Sequence, residues 1–233
     1  MKHSTLITCV AVMVVLVLVL SAQGAGIVGS KHDMNAVFGS GTIENNEVCL
    51  PCHAAHNPAE PTLTRLWNKK LSTQTYTMYK VASNYLTELD EGSKKCLSCH
   101  DGTTAVDAYG STGQGVLPGT KKIGTDLDKD GNSTAGYLIG ASGSLQHDHP
   151  VGVEYPAAPY GTRWVDPATW SSMVLKDING NTITQVGGGM KLTAINGKNY
   201  VTCGTCHTAH TPTYRFLKFS NTNSQLCLSC HIK

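Results

Sequence analysis

Large aromatic side chains are scarce in this chain, with three Phe and three Trp among 233 residues and aromatics in total at 6%. Side chains alone would therefore make a thin interior, because burial of apolar area is the main favourable contribution to folding. Charge is also scarce, at 15% of residues and a formal net charge of +2. That excludes the dense basic footprint of a nucleic-acid-binding surface and the polybasic patch of a membrane-surface protein. Long hydrophobic runs are limited to the N-terminus, where Lys2 precedes an apolar stretch from about Leu6 to Leu20. The small residues of Ser21-Ala22-Gln23-Gly24 follow, as at a secretory cleavage site, and the apolar core is short for a permanent membrane span. Residues 1–24 are expected to be a signal peptide and residues 25–233 an exported chain without a transmembrane segment.

Cysteine and histidine are present in a fixed arrangement. Removal of the leader would take Cys9 with it, and the remaining eight cysteines all lie in four C-x-x-C-H motifs. These are Cys49-Leu50-Pro51-Cys52-His53, Cys96-Leu97-Ser98-Cys99-His100, Cys203-Gly204-Thr205-Cys206-His207 and Cys227-Leu228-Ser229-Cys230-His231. No thiol is left for a structural disulfide. Paired C-x-x-C units also build zinc sites, but zinc does not require a histidine directly after the second cysteine in every copy. The spacing is the attachment signature of c-type haem, in which the two thiols form thioethers to the porphyrin and the adjacent histidine ligates iron. Four covalently bound haems are expected, with His53, His100, His207 and His231 as proximal ligands.

Roughly 50 residues per haem leave little room for a conventional core, so the porphyrins are expected to be the core and the peptide to wrap them. Their propionates would make the loaded protein mildly acidic. The expected fold is mostly irregular coil, with short helices at the motifs and a few β-hairpins. It forms one tetrahaem domain over residues 25–233, with two haems in 25–110, a haem-free insertion rich in Gly and Thr in 111–202, and two haems in 203–233. Acidic and capping residues Glu44-Asn45-Asn46-Glu47 predict a helix start leading into the first motif. Asn179-Gly180 and Asn196-Gly197 predict hairpin turns between β-branched runs. Trp67 is expected to pack on a porphyrin face. Asp126, Asp128 and Asp130, followed by Gly131, match the opening of a calcium loop, although Tyr137 stands where a bidentate Glu is needed.

Nine histidines follow the leader, and five of them lie outside the motifs: His32, His56, His147, His149 and His210. Four six-coordinate haems need four distal histidines, so the supply is sufficient with one over. His56 and His210 each fall three residues after a motif histidine; on a helix the two would share a face and could not grip one porphyrin from opposite sides. This predicts His56 on the His100 haem and His210 on the His231 haem, leaving His32 and His149 for the other two. His147 and His149 are two apart and would diverge on extended backbone, so His147 is the spare candidate. The segments 49–58 and 203–212 mirror each other, and each precedes a Cys-Leu-Ser-Cys-His copy. The two halves therefore look like a duplicated two-haem unit.

Taken together, Ser30-Lys31-His32-Asp33, the segment 49–57, Leu66-Trp67-Asn68, 76–79, 96–103, 148–155, 203–212 and 226–231 resemble the doubled-CXXCH multihaem cytochromes. The resemblance implies His32, His56, His149 and His210 as distal ligands and an electron carrier with no catalytic residue. Among such proteins, the size, haem number and leader are similar to outer-surface tetrahaem cytochromes that polymerise into extracellular filaments. For those, the resemblance implies a continuous haem stack, one haem completed by a histidine from the neighbouring subunit, and other redox proteins and extracellular electron acceptors as partners. Two alternatives stay open: a periplasmic electron shuttle, and a multihaem reductase with one open haem.

Overall fold

The computed structural model describes residues 26–232 apart from 57, 64–65, 81–83, 112–114, 149, 174, 177–181 and 184–188. The expected leader, His149 and the Asn179-Gly180 turn lie outside the described residues. Regular structure is sparse and local. Helix α1 is Met34–Phe38, opened by the Asp33 carboxylate, which accepts from Asn35 N and Ala36 N at 3.1 and 3.2 Å. Helix α2, Glu91–His100, starts on the Asp90 carboxylate, which accepts from Ser93 N at 3.1 Å, and carries the whole second motif. It stops at Gly102, whose φ is +73°. A side chain there would also lie 2.8 Å from the Ile123 carbonyl oxygen, so glycine is required on both counts.

Among the described residues, seven short strands pair antiparallel. Strands β1 (Gly110–Ser111) and β2 (Gly115–Val116) pair, as do β4 (Leu175–Lys176) and β5 (Thr182–Ile183). A three-stranded sheet has the order β3-β7-β6, from Val153–Glu154, Lys198–Val201 and Thr193–Ile195. The β6–β7 hairpin turns at Asn196 and Gly197, both at positive φ, as a two-residue turn matched to strand twist demands. Strand β7 then delivers the chain through Thr202 into helix α3, Cys203–Cys206, which is the third motif. A reciprocal Thr202–Thr205 capping box fixes its start. Helix α4, Gln225–Leu228, leads the fourth motif. Among the described residues no helix is long and apolar enough to cross a membrane.

The first motif departs from expectation. No α-helix leads into it; Glu44–Asn46 is a single 3₁₀ turn, with Asn45 and Asn46 in left-handed conformation. A run of two such residues breaks a right-handed helix, so the chain reverses before Cys49.

Among the described residues, three clusters of buried hydrophobic side chains form, each beside a motif. Ile43, Leu50 and Tyr109 pack at the first. Met78, Leu89, Leu97, Leu145 and Val151 pack around the second, with Cys203 against them. Tyr155, Trp170, Met190, Phe219 and Leu226 pack around the third and fourth, with Cys206 and Cys230 at the edge. A chain so poor in large apolar side chains distributes its interior around its four motifs. Trp170 ties the last cluster to the fourth motif, because its indole Nε1 donates to the Ser229 carbonyl at 2.7 Å. Trp170→Phe removes that donor and leaves a buried acceptor, so it should lower stability by about 1–2 kcal/mol, read as a shift in the denaturant midpoint.

Candidate cofactor site

Each motif is closed locally before it is used. The backbone N–H of His53 donates to Cys49 O at 2.9 Å, that of His207 to Cys203 O at 3.0 Å and that of His231 to Cys227 O at 3.0 Å, while the second motif lies within α2. One helical turn therefore separates the two thiols of a pair, and both reach the same side. Directly afterwards the chain turns extended: His53 bridges to Trp67, His207 to Leu217 and His231 to Trp164. The duplication is visible in the backbone. Asn68 N donates to Cys52 O at 3.0 Å and Lys218 N to Cys206 O at 2.8 Å. Likewise Ala54 N donates to Leu66 O and Thr208 N to Phe216 O, with Leu66 and Phe216 both at positive φ.

Two pairs of imidazoles face each other across a gap. His53 and His210 have ring centroids 6.1 Å apart with planes inclined by 15°. His32 and His100 have centroids 6.2 Å apart with planes inclined by 73°. Two metal–imidazole bonds of about 2.0–2.1 Å, with a ring radius of ~1.1 Å at each end, place centroids about 6.3 Å apart. Both separations thus fit one metal held between two imidazoles. In the second pair the tautomer is also set: His100 Nδ1 lies 2.7 Å from Tyr137 O and His32 Nδ1 lies 3.1 Å from Ala209 O. When each Nδ1–H is engaged by a carbonyl, Nε2 keeps its lone pair for a metal. Burial lowers the His32 pKa, against a smaller rise from the Ala209 carbonyl, and so favours the neutral, ligating imidazole.

The surroundings fit a flat apolar group. Leu66, beside the first motif, Tyr137 and Ile139, beside His100, and Ile232, next to His231, are exposed large hydrophobic residues. The Trp67 ring meets His53 edge-on at 6.1 Å, and its Nε1 is buried without a hydrogen-bond partner. Trp164 lies 4.5 Å from the His231 ring. A zinc site, by contrast, needs several donors converging on one point. Among the described residues no three His, Cys, Asp or Glu side chains do so. Burial pushes the Cys52 and Cys206 thiols up to about 12, so neither is poised as a free thiolate nucleophile.

The motif groups adjoin one another. Cys203 N donates to Ser93 Oγ at 3.4 Å and Cys203 packs against the cluster that holds Leu97, so the second and third motifs meet.

The histidines expected as distal ligands lie against other partners than the sequence predicted. His210 faces His53 and not His231, and His32 faces His100 in the place expected for His56. The reason is local: the chain at His53 and His207 is extended, so the helical spacing assumed for His56 and His210 does not exist. His56 and His147 are exposed. The calcium reading also meets a different arrangement. Asp128 accepts from Asp130 N, Asn132 N and Asn132 Nδ2, Asp126 accepts from Lys122 N, and Asp130 pairs with Lys129. The three carboxylates are turned onto their own loop, with no convergence on a shared point.

Sequence reasoning passed over Asn68, Trp164 and Lys69. Only the Leu66-Trp67-Asn68 recurrence in the resemblance gave a signal for the first; nothing local marked the other two.

A family model described as the doubled CXXCH motif matches residues 195–233, the segment holding the third and fourth motifs. The match is consistent with a haem-binding multihaem c-type cytochrome working in electron transfer. No curated protein matches the chain.

Proposed function

We propose that this chain is an exported tetrahaem c-type cytochrome that carries electrons and performs no substrate chemistry, assembled into a filament at the outer cell surface. The observation that carries the electron-transfer reading is the pair of facing imidazoles, His53 with His210 and His32 with His100. Haem iron supplies a one-electron couple when bound. The residues do the rest. Cys49, Cys52, Cys96, Cys99, Cys203, Cys206, Cys227 and Cys230 anchor the porphyrins, and His207 and His231 are the remaining proximal ligands. Two histidines on one iron leave no position for a substrate, which disfavours a reductase at those two sites.

Support for the filament comes from the resemblance of the quoted segments to filament-forming cytochromes. Exposed His56 and His147 suit it as well, because each is placed to reach a second copy. Other redox proteins and extracellular acceptors are the proposed partners. Intact mass and pyridine haemochrome analysis should return four haems per chain; a chain isolated with none would refute the reading. Electron microscopy of the sheared cell-surface fraction should show fibres with an unbroken haem row. Dispersed monomers in the periplasmic fraction would replace the filament with a diffusing shuttle, and carbon monoxide binding by the native reduced protein would restore the reductase.

A further inference from the structure

Lys69 is 1% exposed, which is rare for an ammonium group because desolvating a charge is costly unless it is matched. Its Nζ donates to the carbonyls of Ala105 and Ala108, the latter at 3.3 Å, and among the described residues it forms no salt bridge. The backbone holds it in place as well, since Lys69 bridges to Tyr109 and Lys70 N donates to Ala108 O at 3.0 Å. Burial works against its charge and lowers its pKa, while Cys99, Cys52, Asp107 and Asp101 act in the opposite direction. The two carboxylates are engaged elsewhere. Asp101 accepts from Ser72, Tyr76 and Thr103, and Asp107 from Thr120 and Lys121.

The groups left to offset the ammonium are Cys52 and Cys99, the second thiols of the first two motifs; the chain ties Lys69 to the first through the Asn68 N to Cys52 O hydrogen bond and to the segment after the second through the Ala105 carbonyl. A fixed cation therefore sits between two attachment points, tied to two carbonyls and lacking a carboxylate of its own. A haem becomes more negative by one charge on reduction, and a nearby buried cation favours that state.

We propose that Lys69 is an electrostatic positioning residue that raises the reduction potentials of the two haems on Cys49–His53 and Cys96–His100 relative to the other two. The inference rests on the haem reading above. It makes the first half of the chain the electron-rich end and gives transfer along the protein a direction.

The test is a spectroelectrochemical titration of the holoprotein, with haem content checked first by intact mass. A wild-type chain without haem would overturn the functional reading before Lys69 is tested. With four haems present, Lys69→Met should make reduction of two of the four couples roughly tenfold less favourable, about 59 mV for one electron, and leave the other two in place. Should Lys69→Met fail to load, Asp107→Asn provides the opposite sign: it removes a neighbouring negative charge, keeps an acceptor for Thr120 and Lys121, and should raise the same two couples. Unchanged potentials in a fully loaded Lys69→Met, an equal shift of all four couples, or an Asp107→Asn protein identical to wild type would each overturn the proposal.

Discussion

Replacing His210 with Ala is expected to open the haem on Cys49–His53 and to leave the haem on its neighbour His207 unchanged. The reduced variant should bind carbon monoxide at one haem in four, whereas the wild type should bind at neither of the two paired sites. Electron paramagnetic resonance of the oxidised protein identifies the haem. Axial imidazoles with near-parallel planes give a rhombic low-spin signal, and near-perpendicular planes give a highly anisotropic one. The 15° pair, His53 with His210, should produce the first and the 73° pair, His32 with His100, the second. His210→Ala should therefore remove a rhombic component and His32→Ala an anisotropic component. If either variant loses the other's signal, or if His210→Ala disturbs only the haem on Cys227–His231, the pairing is wrong.

Asn68→Ala is expected to be the most damaging uncharged substitution in the first half. Asn68 is fully buried, and its side chain serves three backbone groups. Nδ2 donates to Leu50 O at 2.8 Å and to Gly110 O at 2.9 Å, while Oδ1 accepts from Ala59 N at 3.1 Å. Its own backbone N–H meets Cys52 O. One side chain thus connects the first motif to the strand that follows Tyr109. Leaving three such groups unpaired at about 1–3 kcal/mol each puts the cost on the order of 3–5 kcal/mol after partial access of water. Denaturant unfolding of the loaded protein measures it. Asn68→Asp sharpens the result, since a carboxylate can still accept from Ala59 but cannot donate to the two carbonyls; a variant as stable as wild type would remove Asn68 from this role.

Features written into short stretches of chain were legible without coordinates. The attachment motifs depend on covalent spacing, so Cys49 to His53 reads the same in any fold. Asn196-Gly197 selects its own turn, because both residues tolerate the left-handed region that a tight hairpin needs. The duplication was readable in 49–58 against 203–212 and extends in the structure to matching hydrogen bonds at Asn68 and Lys218.

Features that depend on where the chain goes next were not legible. The helical spacing assumed for His56 gives way to extended backbone at His53, so which histidine faces which could not be read from that spacing. The Asp126 to Asp130 turn offers carboxylates at cation-binding intervals, yet the nearest donors for them are the loop's own N–H groups. Lys69 and Lys70 are adjacent and chemically identical in sequence. Only the bridge to Tyr109 buries one and leaves its neighbour in a different setting.

The crossed imidazole pairs also bear on the order in which the molecule can be made. A chain emerging from an export channel N-terminus first presents Cys49, Cys52 and His53 long before His210 exists outside. Under the pairing proposed here, the first haem would wait five-coordinate through the passage of nearly the whole polypeptide. The second would not wait, because His32 precedes His100. Ligation of the earliest haem then waits on a distant part of the chain, and it closes the longer of the two paired loops, where a crosslink removes more freedom from the unfolded chain. A truncated chain ending before His210 should accordingly accumulate with its first haem reactive, which makes the arrival of His210 the step that seals that haem against oxygen and other small ligands.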